Sequence, residues 1–195
     1  MLMAVKLPLQ TERLILRDIL ASDLEAVHSY ACESDVVRFM PWGPNRLEDT
    51  KNFIDRAIAL QKDEPRHDFE LAVILKSKQQ LIGGCGLHLS NADNREGLIG
   101  YCYNQNFWGQ GYATEAARAL LSLGFEQLGL HRIIATCDPA NIASARVMEK
   151  AGMRREGHFR ENIWIKGKWR DTLLYAILES EWSHIKGESN QIEVK

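Results

Sequence analysis

The sequence predicts an α/β (α+β) fold: one mixed, mostly antiparallel sheet with a single parallel strand–helix–strand crossover. Three observations carry this. The apolar runs "FELAVILK", "QQLIGGCGLHLS" and "REGLIGYCYN" follow one another with polar turns between them, as in an antiparallel meander. A helical apolar stripe then separates "REGLIGYCYN" from the β-branched run "HRIIATC", and two parallel strands need such a crossover. The chain closes on two further runs around "KGK" in "GHFRENIWIKGKWRDTLLYAIL", the pattern of a hairpin.

Each element has its own signal. "TERLILRDI" alternates around Leu14 and Leu16 and reads as a strand. "ASDLEAVHSYAC" opens with Ser22 or Asp23 as a cap and reads as a helix. "LEDTKNFIDRAIALQKDE" sets Leu47, Phe53, Ile54, Ala57, Ile58 and Leu60 mostly on one helical stripe. The loop "FMPWGPN" between these helices carries Trp42, which reads as exposed. Gly83, Gly84 and Gly86 within the second meander run point to a bend or a close backbone approach. From Gly111, Ala113, Ala116, Ala117, Leu120, Leu121 and Phe125 trace one helical face, with Glu115, Arg118 and Glu126 off it. "DPAN" is a turn, and "IASARVMEKAG" is a short helix closed by Gly152.

Length and composition bound the function. A chain of 195 residues suits one well-buried domain, and no repeat, linker or low-complexity stretch divides it. Residues 8–186 are expected to form that domain, with 187–195 as a polar C-terminal tail. The formal charge of −2, without a face-long excess of Lys and Arg, argues against direct nucleic-acid binding. The four cysteines, Cys32, Cys85, Cys102 and Cys137, show no zinc spacing and read as free thiols of a reducing compartment. "MLMAVKLPLQ" has too short an apolar run before Pro8 for a signal peptide, and no run is long enough to span a membrane. The expectation is a cytoplasmic protein, monomer or homodimer, with no membrane partner.

The stretch "NFWGQGYATEA" is the most informative. A glycine-rich turn entering a helix offers unpaired N–H groups and the positive end of the helix dipole, and both suit a phosphate. A plain turn before a helix stands beside that reading. A dinucleotide fingerprint matches at Gly109 and Gly111, with Asp138 ending the next strand. It fails at Thr114, at the five residues between strand and glycines, and at the single crossover. A phosphate loop of the Walker type fails because no Lys-Ser/Thr pair follows the glycines. A coenzyme A site is the other reading.

Here the chain resembles the GNAT superfamily of N-acetyltransferases, whose loop is Gln/Arg-x-x-Gly-x-Gly/Ala at the start of its central helix. This sequence has Asn106-Phe-Trp-Gly109-Gln-Gly111, departing at the first position. "LIGYCYNQNFWGQGYATEAARALLSLGF", "LHRIIATCDPANIASARVMEKAGM" and "REGHFRENIWIKGKWRDTLLYAIL" look like the RimJ/RimL-type ribosomal-protein N-terminal acetyltransferases. The similarity runs from about Thr11 to Trp182.

The resemblance implies a GNAT fold whose fourth and fifth strands flank the crossover helix and splay apart. It implies acetyl-CoA as co-substrate, no metal, and direct transfer to a primary amine. The fourth strand is residues 98–103 here, and the backbone of Tyr101, Cys102 and Tyr103 would lie along the pantetheine arm. Their side chains read as sheet packing. Gly109, Gln110, Gly111, Tyr112, Ala113 and Thr114 would hold the pyrophosphate. Asn141 would bind pantetheine, beside its plain reading as a helix N-cap. Ser144 would protonate the leaving thiolate, since Met148 stands where many members carry a tyrosine. For the base, Thr136 replaces a glutamate of some relatives, and Glu161 is the nearest carboxylate, beside a water chain. His88, His131 and His158 are titratable but read as surface or packing residues. Asp171 reads as a buttress of the last hairpin, and Trp42, Trp164 and Trp169 as walls of an acceptor groove. The acceptor implied is a protein N-terminus. The alternatives are a small amine such as a polyamine or antibiotic, a CoA-binding module without catalysis, or a dinucleotide-binding oxidoreductase.

Overall fold

The computed structural model describes residues 5–192, with side chains described for 5–185. Along the chain come β1 (Leu9–Gln10), β2 (Leu14–Asp18), α1 (Leu24–Ala31) and α2 (Leu47–Leu60). The meander follows as β3 (Asp68–Leu75), β4 (Gln80–Asn91) and β5 (Glu96–Tyr103). Then come α3 (Tyr112–Ser122), β6 (Arg132–Cys137), α4 (Ile142–Ala151), β7 (Arg154–Ile165), β8 (Lys168–Leu178) and α5 (Glu179–Ile192). The eight strands of the described residues form one sheet in the order β1-β2-β3-β4-β5-β6-β8-β7. Among the described residues β5–β6 is the parallel pair and the others are antiparallel, as expected.

The period of two along β3 sorts the core into layers. Phe69, Leu71, Val73 and Leu75 face α3 and join Ala116, Ala117, Leu120 and Leu121 in one buried cluster. Ala72 and Ile74 face the other way, into a second cluster with Val27, Tyr30, Ile54 and Ala57 of α1 and α2. Glu70 shares that second face by the same alternation.

The differences from the sequence reading lie at element ends. The first helix begins with a 3-10 turn, Ala21–Asp23, and Asp23 Oδ2 accepts the Leu20 N–H at 2.8 Å. The second helix stops at Leu60, and the Gln61 side-chain amide donates to Ile19 O at 2.8 Å. α3 continues into a π-helical turn, Leu123–Gln127. The helix α5 lacks a strong apolar stripe and includes residues 187–192 of the expected tail, while 193–195 lie outside the described residues. Gly83 shows the close approach foreseen: a Cβ there would stand 2.5 Å from Cys102 O. The four cysteines are free thiols.

Glu115 is off the apolar stripe of α3, yet it is tied to β2 and its lead-in. Its carboxylate accepts from Thr11 Oγ1 (2.5 Å), Arg13 N (2.8 Å) and Arg13 Nε (2.7 Å). Burial works against the charge, but these donors win and hold the carboxyl below the ordinary glutamate range. Its stabilisation is therefore present at neutral pH and lost as pH falls from about 4.3 through the lower folded value. Glu115→Ala is expected to cost about 2 kcal/mol, since three donors lose a charged acceptor. Urea unfolding at pH 7 and pH 3 checks this: the gap to wild type should shrink in acid, and an equal gap would refute the charge-based account.

Candidate active site

The central strands part in the middle of the sheet. β5 pairs with β6 only over Glu96↔Arg132, Gly97↔Ile133 and Leu98↔Ile134. Beyond that, β5 keeps β4 as far as Tyr103, and β6 keeps β8 as far as Cys137. Among the described residues the gap thus has two strand edges without a partner strand, and this is the splay the resemblance implies. Asn104 N–H bonds Ile82 O at 3.0 Å, toward β4. Backbone polar groups alternate sides along a strand, so Tyr101 and Tyr103 turn theirs to the gap while Cys102 turns its own to β4. The Tyr103 carbonyl accepts the Trp108 indole N–H at 2.8 Å, on the gap side. Of the three residues expected along the arm, Tyr101 therefore has both backbone groups on the free edge, and Tyr103 its N–H.

The Tyr101 side chain does more than pack. Its hydroxyl crosses to α4 and lies 3.0 Å from Ser144 Oγ and 3.1 Å from Ser144 O. Burial pushes the phenol well above its ordinary range, against the pull of the Ser144 bond, so it keeps its proton. Tyr103, by contrast, is buried in the core. Asn141 caps α4, its Oδ1 accepting Ser144 N–H at 3.2 Å, which leaves its amide N–H₂ available for a ligand. Met148 is buried, and Thr136 is exposed.

At the mouth of the gap stands the glycine loop. Gly109 and Gly111 have φ of +73° and +82°, a region that L side chains rarely adopt. Gly111 is the N-cap of α3, and no side chain caps that end. The N–H groups of Tyr112, Ala113 and Thr114 therefore have no intrahelical acceptor. Gln110 folds back, its Nε2 donating to Asn106 O at 3.2 Å. Arg13, absent from the sequence reading, donates to Gln110 O at 3.0 Å and lies 4.6 Å from the centre of the Tyr112 ring. Its guanidinium is also ion-paired with Glu115 at 2.7 Å, so it stands beside the loop as one half of an ion pair.

On the opposite face, under α1 and α2, lies a cavity of about 580 Å³. Trp42, Phe53, Tyr30, Glu70, His88 and the β5 segment Gly100–Cys102 line it. Trp42 is thus a wall of this cavity. Trp164 and Trp169 stack edge to face at 5.3 Å on the β7–β8 hairpin and are exposed. Glu161 sits in a break of the β7–β8 register with φ +47°, solvent-exposed, and its N–H donates to Asp171 Oδ1 at 2.9 Å. Asp171 also holds His158 Nε2 at 2.7 Å, and these two bonds keep its carboxyl below the usual range. It is the buttress foreseen. His131 is exposed. Glu70 was missed and His88 set aside, because a carboxylate inside "FELAVILK" looks like the solvent side of a strand until α1 and α2 cover it. Among the described residues, no group of His, Cys, Asp and Glu side chains is placed to hold a metal ion, and no helix is long and apolar enough to cross a membrane.

Comparison with known proteins gives a consistent picture. Residues 13–154 match a family described as "Acetyltransferase (GNAT) domain". The chain is 40% identical over 173 residues to "Uncharacterized N-acetyltransferase YnaD" of Bacillus subtilis (strain 168), covering 89% of this chain and 98% of that one. It is 31% identical over 85 residues to "[Ribosomal protein uS5]-alanine N-acetyltransferase" of Escherichia coli (strain K12), 44% of each chain. Among solved structures, a GNAT-family acetyltransferase from Bacillus anthracis matches with TM-score 0.79 and 41% identity, over 88% of this chain and 98% of that one. A spermidine N-acetyltransferase from Vibrio cholerae, in complex with CoA and spermine, matches in fold with TM-score 0.76 and 21% identity, over 88% and 99%.

Proposed function

The chain belongs to the GNAT acetyltransferase family, and from that premise we propose that it transfers the acetyl group of acetyl-CoA directly to the N-terminal α-amine of a protein or peptide. The reading takes residues 8–186 as one N-acetyltransferase domain and 187–195 as a polar tail. The four free thiols fit a reducing compartment, and we place the enzyme in the cytoplasm.

One observation carries the proposal: the gap between β5 and β6 joins the glycine loop to the bridge between Tyr101 and Ser144. The residues present fit the co-substrate. Uncapped N–H groups at Tyr112, Ala113 and Thr114, with Arg13 nearby, suit a pyrophosphate. The free edge at Tyr101 offers a backbone N–H to the pantetheine arm or the thioester oxygen. Asn141 adds its amide N–H₂. Acetyl-CoA supplies an activated acyl group, and the chain supplies position and protons. Ser144 is the proposed acid: its hydroxyl donates to the departing thiolate, and the Tyr101 phenol stands behind it to donate in turn. Glu161 at the hairpin and Glu70 in the cavity are the two carboxylates offered for the incoming proton.

The acceptor follows from the cavity's chemistry. A polyamine needs several converging carboxylates. Here Glu70 shares the cavity with Arg56 and His88, and Asp49 is engaged by Arg46. Apolar walls such as Trp42, Met40 and Phe53 suit one or two side chains of a peptide. Short peptides beginning with Ser or Ala are expected to beat spermidine and a lysine side chain in kcat/KM. The comparison is made at one pH and corrected for the fraction of free amine. A tenfold win for spermidine or an aminoglycoside would replace the peptide assignment and keep the acetyl transfer. Tight acetyl-CoA binding without thiol release on any amine would instead favour a module without catalysis.

A further inference from the structure

A row of residues across three strands runs from the cavity to the edge of the gap. Glu70 of β3 lies opposite Gly86 of β4, and Gly86 lies opposite Gly100 of β5. Neither glycine raises a side chain, and a Cβ at Gly100 would meet nothing within 4 Å. Two strand spacings make this lane about 10 Å long between the end Cα atoms. The Glu70 side chain covers part of it, and the rest is a span that one or two waters could bridge.

His88 belongs to the same face, since it pairs with Asp68 across β3 and β4. Its Nδ1 lies 2.8 Å from Asp68 Oδ1. That bond fixes the ring and turns Nε2 toward Glu70 Oε1, 3.7 Å away. The distance is too long for a direct hydrogen bond, so both atoms can take a third partner between them. Gly86 makes the arrangement possible: a Cβ there would stand 2.9 Å from His88 Nε2 and 3.1 Å from Glu70 Oε2.

We propose that Glu70 and His88 form the proton acceptor of the reaction, with Asp68 as their positioning residue. The inference rests on the acetyltransferase reading above and names the base for that site. The acceptor ammonium gives one proton, through the lane, to the Glu70–His88 pair. The freed lone pair attacks the thioester carbon, a C–N bond forms and the C–S bond breaks. The thiolate takes a proton from Ser144, and the nitrogen's second proton returns to Ser144 through water. Overall one proton leaves the pair for solvent, and thiol and amide are the products.

The groups around Glu70 are Arg56 from α2, Tyr30 from α1, His88 from β4, Cys102 from β5 and Asp68 on its own strand, with Cys85 on the other face of β4 close enough to feel its charge. Burial pushes the Glu70 carboxyl up, against the pull of His88 and Arg56. A base shifted this way puts the acid limb of the rate profile closer to neutrality.

The experiment is the pH dependence of kcat/KM with the best acceptor peptide, for wild type, Glu70→Gln, His88→Asn and Gly86→Ala. Expected for Glu70→Gln is a thirtyfold or greater loss at pH 7. Its acid limb is lost or displaced, and rate returns as pH frees the amine. Affinity for acetyl-CoA should be unchanged, and the melting temperature equal to or above wild type, because a buried charge is gone. Gly86→Ala, whose Cβ would also stand 3.2 Å from the Phe69 carbonyl, should lower the rate and displace the acid limb, and the displaced limb is what a purely structural glutamate would not explain. The inference is overturned if Glu70→Gln and His88→Asn keep the wild-type profile, above all if Glu161→Gln removes the acid limb. A wild type that binds acetyl-CoA yet acetylates no amine overturns the premise and the inference together.

Discussion

Gly111→Val is expected to weaken acetyl-CoA binding by about 10²–10³-fold while the sheet stays folded. Gly111 has φ +82°, and a β-branched residue there is strongly disfavoured. A Cβ would meet Arg13 Nη2 at 3.4 Å, an ordinary contact, so the strain lies in the backbone. The loop must rotate to relieve this, and the N–H groups of Tyr112, Ala113 and Thr114 then lose their common aim. Hydrogen bonds to a charged group are each worth about 1.5–3 kcal/mol, so losing two near the lower end of that span, about 3–4 kcal/mol, gives the stated range. Gly109→Ala is a graded comparison. Its φ of +73° strains an alanine, but the space around it is open, so a smaller loss is expected. Calorimetry with acetyl-CoA reads the affinity, and circular dichroism reads the fold. Unchanged affinity in a folded Gly111→Val would remove the pyrophosphate from this loop.

Ser144→Ala is expected to lower kcat by about 10²–10³-fold with acetyl-CoA affinity near wild type. The helix should survive the change, because Ser144 takes part in the Asn141 cap through its backbone N–H. Tyr101→Phe should cost less, since it removes the second donor but leaves the first. If the two act as one relay, the double variant will fall short of the product of the single effects. Thiol release under conditions where chemistry limits turnover is the measurement. A wild-type kcat in Ser144→Ala would hand the thiolate to Tyr101 or to water and leave Ser144 as a residue of the helix start.

Much of this was legible in the residues. Alternation gave the meander, and "NFWGQGYATEA" gave an uncapped helix start, because these signals are local. "DPANIAS" gave the cap of α4 for the same reason. The distant pairs were not legible. Tyr101 reads as a sheet aromatic until β6 turns away at Ile134 and leaves a path to Ser144. Glu115 reads as solvent-facing until the β2 lead-in, about a hundred residues earlier, brings Thr11 and Arg13 to it. Glu70 needed the position of α2, which no periodicity within β3 reveals. In each case the missing information was the partner across a long sequence separation, not the character of the residue itself.

The short ladder between β5 and β6 has a mechanical meaning. Three residue pairs form the spine of a book whose leaves are β1–β5 and β6–β8. A ligand lying in the gap, on the proposed reading, bonds one leaf through Tyr101 and the other side through Asn141 and Ser144. It is then a structural member as well as a reactant. Anything that binds the folded form alone adds to its stability by mass action, about 2.7 kcal/mol at a hundredfold excess over Kd. Acetyl-CoA scarcity would then leave the protein both idle and easier to unfold, so its lifetime would track the acetyl supply of its surroundings.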